Sequence, residues 1–230
     1  MSLLLLLALV AGALYAWRRY NDRPGPGPGA SAAARARQLR TPLVRLADLL
    51  GIDTQAGRLA RRYEAGAEGE RRAAARLEDL ARDGWTILYD RALPRSRANV
   101  DALAISPTGA TFLLDPKKWT GRFPLSIRAG RLWHGKVDVT DRLDGVLHER
   151  DTVARLLDVT VTPIVSMEGP QLVGPHGRPA TQLEFRGIRI VPADRLPAVL
   201  RASGRIPGQR RASALVATAA RVLPHYPRGL

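Results

Sequence analysis

Two aspartates and one lysine, Asp101, Asp115 and Lys117, are the residues whose types and spacing are best suited to chemistry. If the aspartates face each other on adjacent strands, their Cβ atoms lie about 5 Å apart, and two like charges destabilise the pair unless a cation, a proton or a lysine neutralises them. Lys117 follows Asp115 by two residues, so its side chain points to the same face. This pattern would supply half of a metal site.

Two strands joined by a short turn must bring these aspartates together. Residues 99–106 and 110–117 are apolar-rich runs, and the turn between them ends in Gly109, at a position that favours positive φ. If Ser106 pairs with Ala110, Asp101 stands opposite Asp115, because each aspartate is about five residues from that pair. A bulge at Gly109 would instead shift the register by one residue and turn Asp101 away.

The alternative interpretation is that both aspartates are solvated residues at strand ends, where Asp is common. Lysine usage favours the site. The chain has only three lysines against thirty-three arginines, and two of the three, Lys117 and Lys118, follow closely after Asp115. An ammonium group can approach a water or phosphate oxygen and can change its pKa, which a guanidinium does poorly.

Composition bounds the class of protein. With 230 residues, 45% of them hydrophobic, the chain can build the core of an ordinary domain. It has no cysteine, which excludes a disulfide framework, a thiolate metal site and a cysteine nucleophile. Its four histidines lack the clustered spacing of zinc ligands, and there is no nucleophile-elbow motif, so acyl transfer has no support.

The net charge of +15 is concentrated on the flanks of the chain. Residues 18–62 and residues 160–230 each carry ten basic and three acidic side chains, whereas residues 63–159 carry sixteen and fifteen. The segment with the candidate site is therefore close to neutral. The basic flanks suit either nucleic acid or anionic lipid, and composition does not separate the two.

The N-terminal residues predict a membrane anchor. Residues 3–17 are an uncharged apolar run, at the short end of what a bilayer requires, and Arg18 and Arg19 follow at once. Arginines in this position place the following chain in the cytoplasm, so we expect a single-pass protein of the cell membrane with residues 1–20 as the anchor. A cleaved signal peptide is the alternative. A Pro/Gly-rich linker over residues 21–36 should follow.

The remaining pattern predicts a mixed α/β fold. A helical lead-in over residues 37–65 includes a helix capped by Thr41, whose leucine stripe we expect to pack on the main domain. A second helix should end at Asp83 and Gly84. Later strands are predicted at residues 85–93, 99–106, 110–116, 125–140 (a hairpin), 159–167 and 185–191. Later helices are predicted at residues 143–157, 194–202 and 213–223, and a loop at 169–179.

The order of the predicted elements resembles the core of the PD-(D/E)xK nucleases. It consists of a glutamate-bearing helix, three antiparallel strands with D-x-K on the third, a helix and a further strand. A closer resemblance, to the nuclease-related domain (NERD) family, lies in Gly66-Ala-Glu-Gly-Glu70, Asn99-Val-Asp101-Ala-Leu, Phe112-Leu-Leu-Asp115-Pro-Lys117 and Trp119-Thr-Gly121. The similarity covers residues 66–191, a little over half of the chain. It implies a mixed central sheet flanked by helices, with a nuclease-related domain over residues 66–202 and a basic C-terminal helix or tail over 203–230.

The resemblance also implies roles for individual residues. Glu70, Asp101 and Asp115 would hold Mg²⁺ or Mn²⁺ together with the backbone carbonyl of Pro116, since hard cations take oxygen ligands. Lys117 would be the catalytic lysine. Basic residues beside these positions would contact nucleic acid, DNA rather than RNA: Arg95, Arg97 and Lys118.

Two departures from the pattern accompany this resemblance. Pro116 removes a backbone donor, so the third strand must stop or become an edge there. The helix predicted over 143–157 also lacks the glutamine that some relatives in the wider superfamily place near the site.

Together with the apolar N-terminal run, the resemblance implies a membrane-anchored, metal-dependent nuclease-like protein that hydrolyses phosphodiester bonds. The alternative is an inactive module that binds nucleic acid or anionic lipid at the membrane surface.

Overall fold

A computed structural model gives the fold, and it describes Gly12, residues 27–96 and residues 98–226. The predicted membrane anchor therefore lies outside the described residues except for Gly12. Within the described part, no helix combines the length and apolarity needed to cross a bilayer. The helices of this part are α1 (Ala30–Leu39), α2 (Pro42–Leu49), α3 (Gln55–Arg82), α4 (Asp144–Leu157), α5 (Leu196–Ser203) and α6 (Ala212–Val222).

The main sheet has six strands in the order β1-β2-β3-β7-β10-β9. Strands β1 to β3 are antiparallel, β3, β7 and β10 are parallel, and β9 is antiparallel to β10. The mixed α/β fold predicted from the sequence is thus confirmed. The strand bounds are β1 (Thr86–Ala92), β2 (Asn99–Ile105), β3 (Thr111–Lys118), β7 (Val161–Glu168), β9 (Leu183–Phe185) and β10 (Ile188–Pro192).

A smaller sheet has the order β6-β5-β4-β8. The predicted hairpin forms its centre, and β8 joins it by pairing in parallel with β4. The segment 169–179, predicted as a loop, therefore contains a short strand. The bounds are β4 (Leu125–Arg128), β5 (Arg131–His134), β6 (Val137–Asp138) and β8 (Leu172–Val173).

Helices cover both faces of the main sheet. Side chains of α3 and α5, including Leu77, Leu80 and Leu200, pack with Phe112 in one core. On the other face, α4, α6 and the smaller sheet share a second core. Helix α6 agrees with the helix predicted over residues 213–223, and two of its apolar side chains are buried: Leu215 and Ala219.

Two glycines define the ends of elements that position the site. Thr54 caps the start of α3 through a bond from the Gly57 amide, and Gly84, at φ +82°, lies just past its end. Gly109 adopts the predicted positive φ, +85°, in the turn between β2 and β3. A Cβ at Gly109 would lie 2.0 Å from the carbonyl oxygen of Arg210, so only glycine fits there.

Three further predictions from the sequence are corrected. Helix α1 begins at Ala30, inside the segment predicted as a linker. The single strand predicted at 185–191 is the β9–β10 hairpin, which turns at Arg186 and Gly187, both with positive φ. The leucine stripe of α2 does not pack on the domain. Only Val44 of this helix is buried, and Leu43, Leu46 and Leu49 are exposed.

Candidate active site

The predicted register between β2 and β3 is confirmed. The ladder runs from Ile105–Thr111 to Ala102–Leu114, and the next position on each strand is Asp101 and Asp115. From that point β3 pairs with β7 alone, as far as Lys118. Pro116 thus lies in a strand that continues but has become an edge on its β2 side, where its missing donor is tolerated.

Lys117 and Asp115 form a close ion pair. The Lys117 Nζ atom donates to Asp115 Oδ1 at 2.7 Å. The Asp115 side chain is only 5% exposed, and its other oxygen, Oδ2, is buried with no hydrogen-bond partner among the described residues. A buried carboxylate oxygen without a partner is costly, so it marks a position where a cation or a donor would be stabilised.

Glu70 approaches the same place from helix α3. It belongs to the buried side of that helix, three residues from both Ala67 and Ala73. Its Oε2 atom accepts a hydrogen bond of 2.9 Å from the Gly29 amide, just before α1. Glu70, Asp101 and Pro116 line one cavity between α3 and the sheet. Three of the four predicted residues of the metal site are therefore neighbours in this cavity.

Asp90, which sequence reasoning missed, lies on the other side of Asp101. Its neighbours on β1 pair with Val100 and Ala102, so Asp90 is at the position opposite Asp101. It has a positive φ of 51° and is buried. Its carboxylate accepts bonds from the Ser31 amide at 2.7 Å and the Asn99 side chain at 3.0 Å. Three neighbouring strands thus each place an aspartate at one end of the sheet.

Glu149 is a second acidic residue that sequence reasoning missed. It lies on α4 between Val146 and Val153, both fully buried, at the spacing of one helix face. Burial and, next, the charge of Asp115 raise its pKa to about 8, against the smaller opposing effect of Lys117. Glu149 could have been identified from the sequence, because the apolar period of this helix places a glutamate on its buried face.

Burial, and next the repulsion between neighbouring carboxylates, raise the pKa values of several acidic groups in the site. Burial, then the charges of Asp90 and Asp115, raise the pKa of Glu70 to about 7. Burial, then Glu70 and Asp115, raise the pKa of Asp101 well above its usual range. Burial lowers the pKa of Lys117, but its interactions with Asp115 outweigh this and the net shift is upward. The site therefore favours uptake of protons or of a further cation.

Of the three residues predicted to contact nucleic acid, Lys118 lies in a cluster of charges. The carboxylate of Glu168 pairs with Lys118 at 3.4 Å, Arg76 at 3.1 Å and Arg72 at 3.4 Å. Arg95 is exposed in the loop between β1 and β2, and no hydrogen bond or ion pair in the described part joins it to the carboxylates. Arg97 lies outside the described residues.

Comparison with known protein families identifies the domain. Residues 65–167 match the family described as nuclease-related domain, NERD. The resemblance inferred from the sequence is thus confirmed for this segment, which carries Glu70, Asp101, Asp115 and Lys117. No curated protein and no solved structure matches the chain. The matched segment is a little under half of the chain, and the match ends within β7.

The donors at this site suit a hard divalent cation. Glu70, Asp101 and Asp115 offer carboxylate oxygens, and the Asp115 Oδ2 atom lacks a partner among the described residues. In the conformation described, Gly29 and Lys117 engage two of these carboxylates. No three His, Asp or Glu side chains in the described ranges already converge as a metal-binding group. A cation would therefore have to compete with the Lys117 ammonium group for the carboxylate of Asp115.

Proposed function

We propose that this protein is a metal-dependent nuclease of the PD-(D/E)xK type, which hydrolyses phosphodiester bonds in nucleic acid. The observation that carries the proposal is the position of Asp101 and Asp115 at the point where β2 and β3 separate, with Lys117 bonded to Asp115. The match to the nuclease-related domain family supports the same class of activity.

Each residue of the site has a defined part in this proposal. Asp101, Asp115, Glu70 and the Pro116 carbonyl would hold Mg²⁺ or Mn²⁺. When bound, the cation would lower the pKa of a water and neutralise charge on the scissile phosphate. The Lys117 ammonium group would orient the attacking water and stabilise the negative charge that develops on the phosphate oxygens. Asp115 holds this ammonium group in place.

The basic cluster next to the site would bind the nucleic-acid backbone. Arg72, Arg76 and Lys118 share the carboxylate of Glu168, and Arg71 and Arg72 share that of Glu68, so four basic side chains face two carboxylates. Such a surplus attracts phosphates, and we extend the proposal to Arg95, in the loop between β1 and β2, and to Arg97. DNA is the preferred substrate in this proposal.

Cleavage assays test the proposal. Purified full-length protein is incubated with labelled single- and double-stranded DNA and RNA in Mg²⁺, in Mn²⁺ and in EDTA. We expect cleavage with either metal, none in EDTA, and loss of cleavage in Asp115→Asn. Asp79→Asn is the matched control, because Asp79 is an exposed aspartate paired with Arg82 on α3. Cleavage that survives Asp115→Asn would contradict the proposal.

A second candidate function is that of an inactive module that binds nucleic acid or anionic lipid. One observation favours it: Gly29 and Lys117 already bond to two of the carboxylates in the conformation described, those of Glu70 and Asp115. This function predicts binding that weakens steeply with salt and does not change in Asp101→Asn or Asp115→Asn. The same variants therefore separate the two candidates.

The membrane anchor is part of the proposal too. The uncharged run at residues 3–17 and the arginines that follow it support a single-pass anchor with the nuclease-related domain in the cytoplasm. Membrane fractionation of the full chain, compared with a chain lacking residues 1–20, tests this placement. We expect only the full chain in the membrane fraction.

A further inference from the structure

Helix α2 turns its apolar face to solvent. Leu43, Leu46, Leu49 and Leu50 are 79%, 53%, 83% and 65% exposed, whereas Val44, on the opposite side of the helix, is buried. At 3.6 residues per turn the four leucines form one stripe. An amphipathic helix of a water-soluble domain normally buries such a stripe. Here the stripe is available for another surface.

The orientation of α2 is fixed by its polar side. Asp48 projects away from the leucines and accepts bonds from Arg40 and, at 3.1 Å, from Arg61 of α3. Arg40 also bonds both carboxylate oxygens of Glu64 on α3, at 2.9 and 2.8 Å. These ion pairs hold the polar side on the domain. Rotating the leucines inward would break them.

Exposed apolar side chains are concentrated around this helix. Nine large hydrophobic residues of the described part are exposed, and six of them fall between positions 43 and 59. The other three lie elsewhere in the chain: Phe123, Val137 and Ile206. A contiguous exposed apolar surface marks an interaction site. The helix α2 and the residues that follow it are therefore the strongest unassigned surface of the described part of the chain.

The charge around this surface identifies the partner. Residues 27–64 carry seven arginines against Asp48, Asp53 and Glu64, a surplus of four positive charges, and three of the arginines pair with these carboxylates: Arg40, Arg58 and Arg61. Arg45 stands exposed at the edge of the leucine stripe. A leucine stripe with an arginine at its edge, on a segment of net positive charge, matches the boundary between the acyl chains and the anionic head groups of a lipid bilayer. Nucleic acid would use the arginines but not the leucines. We propose that α2 lies in the interface of an anionic lipid bilayer with its leucine stripe inserted.

This role is independent of nuclease activity, and it assigns to α2 a contact that differs from a membrane-spanning anchor. The helix would hold the nuclease-related domain against the bilayer surface in one orientation, since α2 is fixed to α3, which carries Glu70. A tether through residues 3–17 alone would leave the domain free to rotate. The two kinds of attachment predict different environments for the leucines of α2.

The absence of cysteine from the chain allows a direct test. Full-length Leu46→Cys and Leu49→Cys are each labelled with a nitroxide and reconstituted into vesicles of phosphatidylcholine with 30% phosphatidylglycerol. The accessibility of the label to oxygen, which concentrates in lipid, is compared with its accessibility to a water-soluble nickel chelate. Val137→Cys is the matched control, because Val137 is an apolar residue 58% exposed on β6, outside the patch. Thermal unfolding verifies the fold of each variant.

We expect oxygen access to exceed nickel access at positions 46 and 49 by several-fold, and the reverse at position 137. Equal nickel access at all three positions would overturn the proposal, because the stripe would then face water. Exclusion of both reagents at 46 and 49 would also overturn it, because protein would then cover the stripe. Spin–spin broadening at position 46 would identify that protein as a second copy, and its absence would point to residues 3–17.

A second measurement does not require labels. Amide hydrogen exchange over residues 42–52 of the full chain should slow several-fold when vesicles with phosphatidylglycerol are added, and less with phosphatidylcholine alone. The Leu43→Gln, Leu46→Gln, Leu49→Gln triple variant should lose this protection, since the substituted side chains are exposed and the fold does not depend on them. Exchange over residues 212–222 of α6 is the internal reference. Equal protection of wild type and triple variant would contradict the proposal.

Discussion

Lys117 donates to Asp115 at 2.7 Å, and this contact leaves the second oxygen of Asp115 buried without a partner in the described structure. The lysine neutralises one carboxylate in a site where Glu70 and Asp101 have raised pKa values. One ammonium group therefore does not balance the acidic side chains around it. A divalent cation would supply the missing charge.

Replacing Lys117 tests its catalytic role. Lys117→Arg keeps the positive charge but loses the compact ammonium group, so we expect the turnover rate to fall by about 10²-fold while substrate affinity changes little. The measurement is kcat and KM for DNA cleavage in Mg²⁺. Lys118→Arg is the control, because Lys118 pairs with Glu168 and not with Asp115. Equal losses in both variants would show that the ammonium group beside Asp115 has no special role in turnover.

Helix α1 should hold Glu70 in place. Gly29 donates to Glu70, has a φ of +72°, and a Cβ there would lie 2.6 Å from the carbonyl oxygen of Ala67. Gly29→Ala should therefore lower the free energy of unfolding by more than about 1 kcal/mol. Gly130→Ala is a matched control, since Gly130 has the same φ of +72° but open space around it.

Denaturant unfolding of the two variants separates backbone strain from the clash. Both variants should be destabilised by the strain of placing alanine at a positive φ. Only Gly29→Ala should be destabilised further, by the clash with Ala67. Equal destabilisation would mean that α1 moves away from α3 without cost. The contact between Gly29 and Glu70 would then be unimportant for the position of the carboxylate.

The pH dependence of stability should report on Glu149. Its pKa is raised from 4.5 in the unfolded chain to about 8 in the folded protein, so between these values the folded state holds a proton that the unfolded chain has released. The contribution of Glu149 to the free energy of unfolding must then fall as the pH rises from about 4.5, and the loss is complete above about pH 8.

Glu149→Gln should remove this contribution, because an amide stays neutral at every pH. We expect the variant to exceed wild type in stability at pH 8.5 by roughly 1 kcal/mol or more, and to match it at pH 5. Denaturant unfolding in EDTA at both pH values is the measurement. Glu184→Gln, at an exposed position of β9, should leave the wild-type profile unchanged. An identical profile in Glu149→Gln would show that this carboxyl group is not protonated by folding.

The central hairpin of the site could be predicted from the sequence because its geometry is local. A short turn that ends in Gly109 fixes the register of β2 and β3, and the register alone places Asp101 opposite Asp115. Glu70 was found through the resemblance to the nuclease-related domain family. The alternation of side chains along β3 placed Lys117 correctly.

The rest of the site depends on contacts between distant parts of the chain. Asp90 joins it through the pairing of β1 with β2 and through a bond from Ser31, which is 59 positions away. Glu149 joins it because α4, which lies in the connection between β3 and β7, packs on both strands. The outward orientation of α2 follows from ion pairs with α3, whereas its sequence pattern alone predicted burial.

Calorimetric titration of Mn²⁺ into the full-length protein is the most direct test of the proposed metal site. We expect saturable binding in the wild type, loss of binding in Asp101→Asn and in Asp115→Asn, and unchanged binding in Asp79→Asn. Binding that is absent from the folded wild type, or that persists in Asp115→Asn, would contradict the account.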